Sequence, residues 1–156
     1  TLYESPFFVN SSTLVKAKVI DGRQSSPLQQ RMLHQVDRDK NGLDWKLYLN
    51  VPERFQIADN KKPDASGVAY NFDVRPIAEG ENGFELHYEG YLEMEETALY
   101  TFYATHDDAV KLFIDGQLVI DASKRNWMGE SEGEIRLGEG LHKIEVQFYD
   151  RLSFEY

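Results

Sequence analysis

The chain has 156 residues, 41% of them hydrophobic and 13% aromatic, so it can bury a core as one domain or as one domain with a fragment. A net charge of −10 argues against nucleic acid as a partner. No apolar run approaches the length of a membrane span, and the absence of cysteine excludes disulfide and thiol chemistry. Because no charged and then apolar leader follows Thr1, we interpret the chain as a processed product or an excised fragment.

The charge is divided unevenly between the two halves of the chain. Residues 1–78 carry 11 Lys and Arg against 9 Asp and Glu, a net charge of +2, whereas residues 79–156 carry 6 against 18, a net charge of −12. Such an acidic half is typical of cation binding or, more commonly, of a surface that keeps a domain soluble. Composition alone leaves both interpretations open.

Residues 1–27 predict a small β unit, because the side chains from Thr13 to Ile20 alternate with the period of a strand. Asp21-Gly22 then favours a turn. A single hairpin is not stable in water, so this unit packs on something else or is the end of a larger domain. Residues 28–41 fit an extended connector or a further strand, and we take them as a connector.

The segment Asp37-Arg38-Asp39-Lys40-Asn41-Gly42 matches the first half of an EF-hand calcium loop. Tyr48 stands where the loop needs its bidentate Glu, and no helical pattern flanks the segment. Three interpretations stay open: an EF-hand, a looser calcium turn and a solvated turn. The missing Glu favours the solvated turn.

From Leu43 onward, short runs of alternating apolar and polar residues follow one another with turn residues between them. A strand is also expected from Val68 to Val74. The clearest run is 84–94, in which one face is apolar and the other, which begins with Glu85 and His87, is expected to be solvated surface. Gly90 within this run suggests a bulge or a close contact. The run from Ala98 to Ile120 predicts an aromatic strand, an acidic corner at Asp107-Asp108 and two further strands. Residues 42–156 are therefore predicted to form an all-β domain, an antiparallel β-sandwich or flattened barrel.

No arrangement typical of catalysis is present in the sequence. The four histidines lack the spacing of metal ligands, and neither a nucleophile elbow nor a phosphate-binding loop occurs. Asp107 and Asp108 are neighbours, so in an extended chain their side chains point in opposite directions and cannot serve as a glycosidase acid pair. We therefore predict a domain without catalytic activity.

The same two carboxylates fit a binding site if the backbone bends between them. Calcium takes six to eight oxygen ligands and leaves positions that the hydroxyl groups of a sugar fill. In the alternative, Asp107 and Asp108 are turn residues that bond their own backbone, which composition alone favours. Trp127, in a predicted polar loop, could stack on a sugar ring or could cap the end of the core.

Residues 42 to about 150 resemble the protective-antigen fourteen-kilodalton domain family. The residues that carry the resemblance are 42–48 (Gly-Leu-Asp-Trp-Lys-Leu-Tyr), 88–92 (Tyr-Glu-Gly-Tyr-Leu), 100–105 (Tyr-Thr-Phe-Tyr-Ala-Thr), Asp107-Asp108, 110–116 (Val-Lys-Leu-Phe-Ile-Asp-Gly), 118–121 (Leu-Val-Ile-Asp) and 140–149, which includes Gly140-Leu141-His142. The resemblance implies an antiparallel β-sandwich. In fungal adhesin members of the family an aspartate pair joined by a cis peptide holds calcium against a sugar, which implies calcium at Asp107 and Asp108, with Asn126 as a possible further ligand.

Residues 1–27 also resemble the last strands of the chitobiase/hexosaminidase C-terminal domain, through Tyr3, Pro6-Phe7, Ser11-Ser12-Thr13, 15–18 (Val-Lys-Ala-Lys), Asp21-Gly22 and Ser25. Together the two resemblances imply a carbohydrate-binding accessory domain, with a remnant of an immunoglobulin-like domain before it. The parent would be an exported bacterial glycoside hydrolase of the β-N-acetylhexosaminidase type, which places the chain outside the cytoplasm. The alternative is a structural module that docks on the parent's catalytic domain and binds no sugar.

Overall fold

The computed structural model of the chain describes residues 2–33, 35–51, 54–55, 61–81, 83–124 and 128–151. The chain divides into two compact units, Thr1–Asn41 and Gly42–Tyr156. The division lies at the start of the predicted 42–156 domain.

The first unit contains two pairs of short antiparallel strands in its described part. These strands are β1 (Thr13–Ala17), β2 (Ile20–Asp21), β3 (Gln24–Ser25) and β4 (Gln29–Leu33). β1 pairs with β4, and β2 pairs with β3 across a turn in which Gly22 has a φ of 59°. The segment 28–41, which we took as a connector, therefore contains a strand, the other interpretation that its sequence allows.

The second unit is built almost entirely of strands. In chain order its described elements are β5 (Leu43–Tyr48), β6 (Ala65–Ala69), α1 (Arg75–Ala78), β7 (Phe84–Met94), β8 (Ala98–His106), β9 (Ala109–Ile114), β10 (Gln117–Asp121), β11 (Gly129–Leu137) and β12 (Gly140–Asp150). Six strands form one antiparallel sheet in the order β10-β9-β12-β7-β5-β6, and β11 pairs with β8 in a second, smaller sheet.

The core of the second unit lies between these two sheets. Alternate residues of the large sheet, such as Leu86, Ile114 and Ile144, form one cluster with Ile135 and Leu137 of the small sheet. The period-two alternation read from the sequence puts these side chains on the inner faces. The predicted all-β antiparallel sandwich is therefore confirmed.

Two details of the second unit differ from the sequence prediction. The strand expected from Val68 to Val74 lies instead at Ala65–Ala69, where Gly67 lies against Trp45: a Cβ at this position would be 2.9 Å from the Trp45 ring. The charged face of β7 is not wholly solvated, because Glu85 is 0% exposed. Local alternation does not reveal which loops cover a strand, so neither detail could be read from it.

Candidate functional site

An acidic corner, defined here as Asp107, Asp108 and Asp150, lies at one end of the sandwich. Asp107 and Asp108 carry the chain from β8 in the small sheet to β9 in the large sheet. Asp150 ends β12, which pairs with the start of β9. Asp108 has a left-handed backbone with a φ of 58°, which Asp tolerates better than most residues. This conformation turns the chain between the two sheets.

His106, the last residue of β8, fixes the backbone of the corner. It is 2% exposed, its Nδ1 lies 3.1 Å from the carbonyl oxygen of Asp108, and its Nε2 lies 3.1 Å from the Oγ of Ser131 on β11. A carbonyl oxygen only accepts, so Nδ1 donates to Asp108, and Nε2 forms the second hydrogen bond with the hydroxyl of Ser131. The ring thereby joins the corner to β11.

The two adjacent carboxylates make different contacts. Asp107 is exposed, and its Oδ1 accepts the N–H of Asp108 at 3.2 Å. Asp108 is half-buried, and its Oδ2 accepts the N–H of Arg151 at 2.7 Å. These bonds are typical of turn residues, and they use one oxygen of each carboxylate. The peptide between the two residues is trans, not the cis peptide that the resemblance implies.

The third carboxyl of the corner is sensitive to the charge of the other two. Burial, and after it the charges of Asp108 and Asp107, raise the pKa of Asp150 to about 6. A raised carboxyl pKa means that ionisation is unfavourable in this environment. The corner therefore concentrates negative charge that a bound cation would relieve.

A polar depression of about 420 Å³ adjoins the corner. It is lined by Ile120, Asp121, Glu130, Ser131 and Glu132. Asp121 ends β10 and pairs with Lys111 of β9, so it lies at the same end of the large sheet as Asp150. Ser131 contacts both the depression and the ring of His106. His106 thus links the backbone of the corner to a residue that lines the depression.

The corner supplies carboxylate oxygens, the ligand type that calcium prefers. Within the described ranges, however, no three His, Asp or Glu side chains are placed so that they could hold one ion. The other predicted site residues, Asn126 and Trp127, lie outside the described residues. The chemistry of the donors fits calcium, but the described donors alone do not complete its coordination.

The loop that resembles half of an EF-hand has its own internal contacts. Oδ1 of Asp37 accepts the N–H of Asp39 at 3.1 Å, and Oδ2 of Asp37 lies 3.3 Å from the ammonium group of Lys40. The side-chain oxygen of Asn41 accepts the N–H of Asp37 at 3.1 Å. This is the geometry of the solvated turn, one of the three interpretations of the sequence.

One polar cluster was missed by the sequence analysis. The buried carboxylate of Glu85 accepts a hydrogen bond from the backbone N–H of Phe55 and lies 2.9 Å from Nε2 of His87. Its register partners on either side are Tyr48 and Tyr149, both buried. Two tyrosines beside a glutamate in a sheet would have signalled a covered position, but their pairing is known only once the strand order is known.

Comparisons with known proteins place residues 39–154 in a family model described as the PA14 domain, the same family as the protective-antigen fourteen-kilodalton domains. A solved PA14 sugar-binding domain from an RTX adhesin superposes with a TM-score of 0.55 at 19% identity, covering 70% of this chain and 82% of that one. A β-glucosidase from Kluyveromyces marxianus, solved with glucose, gives a TM-score of 0.56 at 17% identity, covering 72% of this chain and 14% of that one. At these identities the two likenesses show the fold.

The anti-sigma-I factor RsgI3 of Acetivibrio thermocellus is 31% identical over 74 residues, which are 47% of this chain and only 12% of that relative. The described helix is far too short to cross a membrane. PA14 domains are generally non-catalytic modules that bind sugars, and they are typically extracellular. Because the family model matches most of its length, this chain belongs to the PA14 domain family.

Proposed function

We propose that this chain is a carbohydrate-binding module without catalytic activity and that the acidic corner and the depression beside it form its glycan site. The observation that carries the proposal is the convergence of three carboxyl groups, Asp107, Asp108 and Asp150, next to a polar depression of about 420 Å³. A cavity of this volume accommodates a small ligand such as a sugar. The polar side chains of the depression are suited to hydroxyl groups.

Calcium is the cofactor that we propose for this site. Asp107 and Asp108 would hold it, with Asn126 as a possible further ligand, and Trp127 would stack on the sugar. The high pKa of Asp150 supports the proposal, because a dication near the corner would offset the charges that raise this pKa. When bound, the ion would supply coordination positions for sugar hydroxyl groups.

The parent protein that we propose is an exported bacterial glycoside hydrolase of the β-N-acetylhexosaminidase type, with a catalytic domain upstream as the partner of this chain. The resemblance of residues 1–27 to the chitobiase/hexosaminidase C-terminal domain supports this parent. The likeness in fold to part of a β-glucosidase is consistent with an accessory role in a glycosidase. Such a parent would act outside the cytoplasm.

A glycan array with calcium, and again with a chelator, tests the glycan site. We expect binding that the chelator removes and that the double variant Asp107→Asn, Asp108→Asn weakens by about tenfold or more, because the variant removes two negative charges and calcium affinity depends on the number of charged ligands. The matched control is Asp37→Asn with Asp39→Asn, which removes the same charge from the first unit. Failure to bind any glycan in either condition would refute the proposal.

Titration of the Asp150 carboxyl by carbon NMR gives a second readout. With calcium bound we expect its pKa to fall from about 6, since the cation opposes the charges of Asp107 and Asp108. An Asp150 pKa that is unchanged in millimolar calcium would eliminate the calcium part of the proposal and leave a metal-independent sugar site.

A docking module that binds no sugar is the second candidate. The first unit favours it, because many of its apolar side chains are exposed, with Phe8 fully exposed and Leu2 79% exposed. Such a surface is typical of an interface with another domain. This candidate predicts that the double variant leaves glycan binding of the parent unchanged, whereas removal of residues 1–41 lowers the stability of the parent.

A further inference from the structure

A second cavity, which we call the cleft, has a volume of about 550 Å³ and opens between the two sheets of the second unit. Its floor is apolar and belongs to the large sheet: Tyr88, Val110, Leu112, Ile144, Val146 and Phe148. The rest of its lining consists of residues 72–75 and residues 102–105 of β8. The cleft is distinct from the acidic corner and its depression.

The cleft follows one edge of β8. Side chains of successive strand residues point to opposite faces, so the four consecutive residues from Phe102 to Thr105 can line one cavity only along an edge of the strand. β11 occupies the other edge of β8, and no residue of β11 is part of the lining. In the described part of the chain no strand pairs with the edge that faces the cleft.

The residues of β8 itself have none of the sequence features that protect exposed strand edges. Natural proteins protect such edges with charged residues, prolines, bulges or short strands. β8 is nine residues long, and from Ala98 to Thr105 it contains neither a charged residue nor a proline. Its neighbour β11 has Glu130, Glu132, Glu134 and Arg136. The unprotected strand of the pair is therefore the one whose edge faces the apolar cleft.

The inner face of β8 is also incompletely covered. Phe102 and Ala104 point inward, yet both are only half-buried, and so is Val146 on the floor. A strand placed beside β8 would pack the side chains of one face on these residues and would bond its backbone to the edge of β8. A strand rises about 3.3 Å per residue, so the four lining residues of β8 match an added segment of about four residues.

The charges beside β8 indicate the chemistry of the other face. Glu130, Glu132 and Glu134 lie on the outer face, opposite Thr105, Tyr103 and Thr101 of β8. Outward side chains of an added strand would lie about 5 Å from those of β8 and about 10 Å from these glutamates. Lysine and arginine are long enough to approach the glutamates across β8, whereas acidic side chains would be repelled.

We propose that β8 binds an extended segment of a partner protein by strand addition, with apolar side chains directed into the cleft and lysine or arginine side chains alternating with them on the outside. Backbone hydrogen bonds to β8 give the segment its register, and the cleft selects its apolar residues. The lining of the cleft is separate from the glycan site, although Glu130 and Glu132 also line the depression of that site. Strand addition does not require a bound sugar.

Hydrogen exchange of the isolated, isotope-labelled full chain is the first test. We expect alternate amides between Phe102 and Thr105 to exchange rapidly, since their N–H groups point into the cleft. Slow exchange of all these amides, at the rate of global unfolding, would show that the edge is already paired and would overturn the proposal. The exchange is then measured again with a capped peptide of about nine alternating lysines and valines added. This peptide should slow the exchange of the rapidly exchanging amides.

Three controls separate strand addition from charge attraction. The same peptide with N-methyl groups on the amides that would face β8 cannot donate hydrogen bonds to the strand. The same peptide with glutamate in place of lysine reverses the charge. Each of these peptides should bind at least about tenfold more weakly than the original. Ala104→Arg places a charge in the cleft and should weaken binding about tenfold, whereas Thr101→Gln, a long uncharged side chain on the exposed face of the same strand, should not. Equal binding of the methylated and unmethylated peptides overturns the proposal even if Ala104→Arg fails to fold.

Discussion

At the scale of single residues, His106 determines the shape of the acidic corner more directly than the aspartates themselves. Its two ring nitrogens contact the carbonyl oxygen of Asp108 and the hydroxyl of Ser131, and the ring is almost completely buried. A buried polar group that loses its partner costs about 1–3 kcal/mol. The geometry of the corner therefore depends on a residue that is almost entirely shielded from solvent.

We expect His106→Phe to lower the free energy of unfolding by about 2–4 kcal/mol, because it leaves two polar groups without their partner. Urea denaturation followed by tryptophan fluorescence measures the change. Ser131→Ala removes only one of the two contacts and should cost about 0.5–1.5 kcal/mol. If His106→Phe were as stable as the original chain, the two ring contacts would have no structural role.

A second histidine gives the fold a dependence on pH. Nδ1 of His142 lies 2.6 Å from Oδ2 of Asp115, and its Nε2 lies 3.0 Å from the carbonyl oxygen of Gly138. The hydrogen bond to Asp115 is the main cause that raises the pKa of His142, and the same bond is the main cause that lowers the pKa of Asp115. The contribution of His142 to the stability of the fold is complete below its ordinary pKa of 6.5 and is lost as pH rises through the raised pKa. The contribution of Asp115 is complete above 3.8 and is lost as pH falls through the lowered value.

The pair therefore stabilises the fold most between about pH 4 and pH 6.5, and we expect thermal stability to fall on both sides of that window. Asp115→Asn should reduce this dependence; it retains an acceptor for the N–H of Lys143 and tolerates the left-handed backbone, with its φ of 50°. Asp150 also affects the profile, because its raised pKa makes the fold less stable as pH rises from 3.8 through about 6. The pH profiles with and without Asp115→Asn are therefore both measured in chains that carry Asp150→Asn. An unchanged pH profile in the Asp115→Asn variant would contradict the assignment.

At the scale of the elements, Gly133 shows how closely the small sheet approaches the large one. A Cβ on Gly133 in β11 would lie 2.0 Å from the carbonyl oxygen of Val119 in β10, a backbone atom that no change of rotamer can move. Gly133→Ala should therefore separate the two strands and lower the free energy of unfolding by about 2–4 kcal/mol. Gly138→Ala, where the nearest atom is 4.0 Å away, should change it by less than about 0.5 kcal/mol. Calorimetry of both variants tests the contact, and equal melting temperatures would refute it.

The strands that sequence predicts best are those whose two faces differ. β7, β8 and β12 alternate clearly, because one face of each lies on the core. The predicted position of β6 was wrong, since its sequence Ala-Ser-Gly-Val-Ala has small residues that do not alternate. The Trp45 ring lies where a side chain on Gly67 would be. Gly90 was expected to mark either a bulge or a close contact, and it marks a close contact, with its hypothetical Cβ 2.6 Å from Leu43. Propensity reports which residues suit a strand, whereas these contacts arise between strands distant in sequence.

At the scale of the whole molecule, the acidic corner was located from sequence as a turn, but its third carboxyl was not. Asp107 and Asp108 are adjacent and easily recognised, whereas Asp150 joins them only because β12 lies beside β9 in the sheet. The family resemblance identifies the pair, and the strand order supplies the neighbour that changes its electrostatics. The cleft beside β8 has the same origin, since it is the strand order of the described residues, and not the residues of β8, that leaves this edge without a partner strand.

The two units should differ in their resistance to proteolysis. The first unit consists of two-stranded pairs with mostly exposed side chains, and isolated pairs of this kind are marginally stable in water. The second unit has a buried core between two sheets. A segment with little buried apolar area opens at a low free energy, so trypsin should cut first after Lys16, Arg23, Arg31 and Lys40 and leave a product that begins at Asn41. Mass spectrometry over a time course measures the order of cleavage. Cleavage within β7 or β12 before these sites would mean that the first unit is stabilised by contacts as extensive as those of the sandwich, and the division at Asn41 would then not be a boundary between independent folding units.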